Sequence, residues 1–90
     1  MTWNTERPEP IGIAGAGRLG QALGRMLRLG GQPVSSVASR TPEHAGSAAE
    51  FIGPGVAAVS YRDLPRNASR ILIAVPDTAI AQIVAVLAAS

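Results

Sequence analysis

Ile11-Gly12-Ile13-Ala14-Gly15-Ala16-Gly17-Arg18-Leu19-Gly20 joins a short apolar run to a Gly-x-Gly-x-x-Gly pattern, and a helix-like stretch follows it. Glycine-rich turns arise for many reasons, but this pattern between a strand and a helix is the context of a dinucleotide-binding loop. Each glycine has a separate task there. Gly15 serves the tight turn after the strand, the bare Cα of Gly17 lets main chain approach a pyrophosphate, and Gly20 lets the new helix pack on the strand it left. The helix N-terminus directs unpaired N–H groups and a partial positive charge at the same spot, so it favours an anion without any basic side chain.

Working outward, Met1 to Pro10 has two prolines, two glutamates and no periodicity, and reads as a flexible arm preceding one domain over residues 11–90. Ile11–Ala14 fits a buried central parallel strand. From Gly17 to about Leu29, Leu19, Leu23, Met26 and Leu27 recur at spacings of three and four, while Arg18, Gln21, Arg25 and Arg28 take the opposite face. Gly30-Gly31 ends this helix. Gly24, which costs about 1 kcal/mol relative to alanine inside a helix, implies close packing on the sheet. Val34 to Ser39 reads as a second strand. Thr41 as N-cap with Pro42 at the first helical position starts a helix running to about Ile52, and Gly53-Pro54-Gly55 stops it. Val56 to Tyr61 fits a third strand, with a polar loop and a helical turn from Asp63 after it. Arg70 to Val75 is a fourth strand. Pro76-Asp77-Thr78 then introduces a last helix whose buried stripe would be Ile80, Ile83, Val84 and Leu87. This alternation predicts an α/β fold, a Rossmann-like three-layer sandwich with a parallel sheet in the order 3-2-1-4. Its crevice lies between strands 1 and 4, with the glycine loop on one side and Val75-Pro76-Asp77 on the other.

Composition narrows the chemistry. Ninety residues allow one small domain with a modest core, and 47% hydrophobic against 3% aromatic residues makes that core aliphatic. With no cysteine and one histidine, disulfides and cysteine- or histidine-based metal sites are not expected. The net charge is +2, carried by eight arginines and no lysine, spread along the chain without interleaved aromatics, so nucleic acid is not the expected partner. No apolar stretch reaches the length of a membrane span and the first ten residues do not resemble a signal peptide, from which a cytoplasmic location is expected. The absence of lysine also rules out Schiff-base chemistry by a side chain of these ninety residues.

The end of the second strand selects between cofactors. An NAD site commonly carries an acid about twenty residues beyond the glycines, where it binds the ribose hydroxyls and repels a 2′-phosphate. Here Ser39-Arg40-Thr41 occupies that place, and a guanidinium between two hydroxyls suits a phosphate, so NADP is preferred over NAD. Arg18 either adds phosphate charge or is a solvated first-turn arginine. Asp77 is read as a helix cap, with a ribose or substrate contact as the alternative. His44 is read as a surface helix residue and Tyr61 as a strand-end side chain, while Trp3 would dock on a sheet edge or a partner. None of these forms a nucleophile–base–orienter set, so no catalytic residue is assigned.

Ile11 to Gly20, Val37-Ala38-Ser39-Arg40-Thr41-Pro42 and Ile71-Leu72-Ile73-Ala74-Val75-Pro76-Asp77 together resemble the N-terminal domain of NADP-dependent oxidoreductases of the 6-phosphogluconate dehydrogenase-like superfamily. Pyrroline-5-carboxylate reductases and deazaflavin-dependent NADP reductases are similar in this half. The resemblance implies a pyrophosphate site at Gly15, Ala16, Gly17, Arg18, Leu19 and Gly20, and a 2′-phosphate site at Ser39, Arg40 and Thr41. It also implies a wall for the riboses at Ala74, Val75 and Pro76. It implies, further, hydride transfer to a small-molecule substrate held mainly by a C-terminal helical domain that these ninety residues lack. The fold is therefore expected to be truncated, with these residues part of a longer protein. Association as a homodimer is the alternative means of completion. A nucleotide-sensing module without turnover is the competing function, and a methyltransferase-type nucleoside site is disfavoured because the acid at the end of strand 2 is missing.

Overall fold

The computed structural model describes residues 9–89. The arm expected over residues 1–10, with Trp3, lies outside them except for Glu9 and Pro10. The Pro10 carbonyl accepts from the N–H groups of Ser69 at 3.1 Å and Arg70 at 3.2 Å, which ties the entry of the first strand to that of the last.

The elements run β1 (Ile11–Ala14), α1 (Arg18–Leu29), β2 (Val34–Ala38), α2 (Pro42–Ile52), β3 (Ala57–Val59), α3 (Leu64–Asn67), β4 (Arg70–Ile73) and α4 (Asp77–Ala88). The sheet is four-stranded and wholly parallel, in the order β3-β2-β1-β4. Ile13 sits at its centre, opposite Val37 on β2 and Leu72 on β4. An irregularity between Ile11 and Gly12 leaves Ser35 as an extra residue on β2. Its hydroxyl donates to the Asn67 carbonyl at 2.6 Å, fastening α3 to the sheet.

Two apolar clusters lie on opposite faces of the sheet and make the three layers. Ile11, Ile13, Val34 and Val37 meet Ala48, Ala49 and Ile52 of α2, with Leu23 and Leu27 of α1 against them. On the other face Ala14 and Ala38 meet Leu64 of α3 and Ile83 of α4. Small residues bring the layers close together. A Cβ on Gly12 would stand 2.8 Å from Leu64 Cδ1, so the α3 side lies against bare β1 backbone.

Four readings of the sequence change here. The inward face of α1 is made by Gly20 and Gly24 with Leu23 and Leu27, whereas Leu19 and Met26 are 60% and 68% exposed. Successive helical residues differ by about 100° in direction, and a glycine face lets the helix axis settle closest there, which turns the neighbouring leucine and methionine outward. The close approach at Gly24 is to α2 first: a Cβ there would meet Ile52 Cδ1 at 2.6 Å, and Ile13 only at 3.5 Å. In α4, Ile83 is buried and Leu87 half-buried, but Ile80 and Val84 remain exposed. The third strand is shorter than its apolar pattern because Ser60 turns the chain, its carbonyl accepting from the N–H groups of Asp63 and Leu64, each at 3.1 Å.

Candidate dinucleotide site

The C-terminal ends of the strands open into a cleft of about 550 Å³. Gly15, Ala16 and Gly17 come to it from the β1–α1 turn, Ser39, Arg40 and Thr41 from the end of β2, and Ala74, Val75 and Pro76 from the β4–α4 turn. Nine of the residues singled out in the sequence thus share one cavity although three separate turns carry them. Arg18 and Leu19 are exposed at the start of α1 and Gly20 is buried, and these three lie outside the cleft lining.

The glycines differ in what requires them. Gly15 has φ +129°, and a Cβ on it would collide with the Ala74 carbonyl oxygen. At that crossing its N–H donates to the Ala38 carbonyl at 3.0 Å, while the Ala74 N–H donates to Ala14 at 2.8 Å, so β1, β2 and β4 are drawn together beside the turn. A Cβ on Gly20 would collide with the Gly15 carbonyl oxygen, which explains why α1 can start so tightly against β1. Gly17 is another matter. Its φ of −77° suits any residue and nothing lies within 4 Å of where its Cβ would be. The fold needs Gly15 and Gly20, but only something entering the cleft needs Gly17 bare.

Gly17 is also the N-cap of α1 and offers no side-chain cap, and the first turn of that helix holds no acid. Helix α2 differs, since Thr41 Oγ1 accepts from the His44 N–H at 3.4 Å. The α1 terminus therefore keeps its first-turn N–H groups for an external acceptor. The loop is held from behind by Gln21, read from the sequence as an outer-face residue, whose Nε2 donates to the Ala16 carbonyl at 2.8 Å.

Sequence reading missed two side chains of the cleft. His44 lines it from the first turn of α2, and Tyr61 from just beyond β3; Ala79 and Ile83 of α4 complete it. A Thr-Pro-x-His start to the helix that follows the Arg40 strand end was the available signal for His44; for Tyr61 there was only its place at the end of a strand. Burial pushes the Tyr61 phenol above its ordinary value, and the positive charge of Arg40 acts in the opposite direction. Among the described residues no Asp or Glu lines the cleft. A smaller depression of about 290 Å³ adjoins it and shares Ser39 and Arg40. Asp77 does not act as the cap expected of it: Pro76 holds that position with an extended backbone, φ −57° and ψ 148°, and Asp77 is the first helical residue. Its carboxylate still suits the positive end of α4.

A family model described as NADP oxidoreductase, coenzyme F420-dependent, matches residues 10–90. The chain belongs to this family. Within the NADP oxidoreductase family, the match spans all four strands and every residue of the cleft. Among solved structures the chain is similar to a Bacteroides fragilis protein assigned as an NADP oxidoreductase, with 25% sequence identity over 87% of this chain and a TM-score of 0.73. It covers 30% of that protein's length. No curated protein matches the chain. The parallel sheet in the order 3-2-1-4 is thus the NADP-binding Rossmann-like domain of such oxidoreductases. Among the described residues no helix is long and apolar enough to cross a membrane, and no group of three or more His, Asp or Glu side chains is placed to hold a metal ion.

Proposed function

We propose that the cleft binds NADP(H) and that this chain is the cofactor-holding part of an oxidoreductase whose small-molecule substrate is bound mainly by a further domain. The observation that carries the reading is Arg40, which stands at the end of β2 in the same cleft as the Gly15–Gly17 turn, with no acid among the described residues that line it. Gly15, Ala16 and Gly17, with the first-turn N–H groups of Arg18, Leu19 and Gly20, cradle the pyrophosphate. Ser39, Arg40 and Thr41 take the 2′-phosphate, for which a guanidinium fork between two hydroxyls is suited. Ala74, Val75 and Pro76 form the wall beside the riboses.

The nicotinamide supplies hydride transfer when bound, and the chain's own residues bind and orient it. The family description names coenzyme F420 beside NADP, and the cleft is assigned to NADP because a glycine turn with Arg40 fits two phosphate sites along one molecule. Calorimetric titration of the chain with NADPH and NADH tests this. NADPH is expected to bind more tightly, and Arg40→Ala to weaken NADPH by about 1–3 kcal/mol while leaving NADH nearly unchanged. Equal affinities for the two cofactors in the unaltered chain would sink the assignment.

A further inference from the structure

We propose that Tyr61 is the platform on which the adenine base of the bound dinucleotide stacks. The inference rests on the cofactor reading above and goes beyond it by assigning the base a recognition residue, where the glycine turn and Arg40 account only for phosphates.

The argument begins with placement. β3 is the outermost strand beside β2, and Tyr61 follows its last residue, Val59, by two positions. The cleft thus has its turn from β4 at one end, the glycine turn over β1 in the middle, and Arg40 with Tyr61 at the β2–β3 end. A dinucleotide with its pyrophosphate at the glycine turn and its 2′-phosphate at Arg40 has its adenine at that same end. The side chains available to a flat base there are Tyr61, His44, Ala79 and Ile83, with the Arg40 guanidinium as a further planar group.

The ring is also held in place. Tyr61 packs against the buried cluster of Ala14, Ala38, Leu64 and Ile83, so one side of it is supported by the core while the cleft receives the other. A half-buried ring with core behind it loses little freedom when a base stacks on it. The charge of Arg40 is felt at the Tyr61 phenol, which places the two at one site. The chain has one tyrosine, one tryptophan and one phenylalanine. Phe51 is turned outward under Arg25, whose guanidinium lies 5.1 Å from the ring centroid, so among the described residues the rings of the cleft are Tyr61 and the His44 imidazole, and of these Tyr61 is the one backed by the core while His44 is exposed.

The single tyrosine makes the test direct, because its ring protons form one spin system in the NMR spectrum of the chain. The probe is 2′,5′-ADP, which carries the base and the 2′-phosphate without the nicotinamide. The ring resonances are expected to move upfield as a purine covers them, with cross-relaxation to the adenine protons. Sodium pyrophosphate alone, which has no base, is expected to shift the amides of Gly15 and Gly17 and leave the ring unmoved. In parallel, Tyr61→Ala should weaken NADPH about 5- to 150-fold, the range for losing one base–aromatic stack. Tyr61→Phe should stay within about twofold, since it keeps the stacking face. Tyr61→Leu, which keeps apolar bulk against Leu64 and Ile83, should fall between the two and separates stacking from loss of packing. If 2′,5′-ADP shifts the Gly15 and Gly17 amides but not the Tyr61 ring, the stacking role is overturned and the cofactor reading stands. If it shifts neither, both fall.

Discussion

At the scale of single residues, the three loop glycines separate fold from function. Gly20→Ala places a methyl group into the Gly15 carbonyl and should destabilise the chain by about 1–3 kcal/mol, measured by chemical denaturation. Gly17→Ala meets open space and should cost no more than about 1 kcal/mol, the loss of a tolerated cap residue. It should nonetheless weaken NADPH roughly tenfold, about 1.4 kcal/mol, by filling the gap where a pyrophosphate lies against main chain. Equal effects of the two changes on stability would contradict the distinction. Tyr61 adds a pH dependence whose sign follows from burial. Its folded pKa is raised above the ordinary value near 10, so its contribution to stability is complete below about pH 10 and is lost as pH rises through the raised value. Phenolate absorbance of the folded chain should therefore appear at higher pH than in denaturant, with unfolding becoming easier in that same alkaline window. The place of the glycine turn and Arg40 at the strand ends was legible in the sequence because residue type and spacing mark both positions directly. Tyr61 and His44 were not, because a lone aromatic or histidine has no periodicity and only the assembled turns show what it faces.

At the scale of elements, caps and glycine contacts decide how each helix meets the sheet. Thr41→Ala removes the hydroxyl that accepts from the His44 N–H and should cost about 0.5–2 kcal/mol in thermal or chemical unfolding, while Thr41→Ser should retain most of that stability. A second effect is expected on NADPH affinity, because the same hydroxyl lines the cleft. All eight elements were legible in outline, since strands of apolar residues alternate with helices closed by Gly30-Gly31 and Gly53-Pro54-Gly55. Which residues of α1 face inward was not. Periodicity counts Leu19 and Met26 as core candidates, but the contact distance is set by Gly20 and Gly24, which a scale of hydrophobicity scores as neutral. The strand ends were also misplaced, as Ser60 begins a hydrogen-bonded turn that apolar patterning does not register.

At the scale of the whole molecule, three turns far apart in sequence line one cleft, and binding there stabilises the fold that builds it. NADPH at a hundred times its dissociation constant should add about 2.7 kcal/mol to unfolding and raise the melting temperature by roughly 10 °C or more, read by calorimetry. NADH at the same concentration should raise it less. The exposed apolar side chains Leu72, Ile80 and Val84 lie on β4 and α4, the edge of the sheet farthest from β3. By itself the sequence determined the alternation of elements, the parallel sheet order and the glycine turn at the start of α1, because periodicity, capping and glycine spacing are local properties of the chain. Only the tertiary structure decided which helix face is buried, that Gly17 alone of the three loop glycines is not needed by the fold, and that Tyr61 and His44 stand in the cleft with Arg40. Those are statements about distances between residues remote in sequence, and such distances are set by how closely the layers pack.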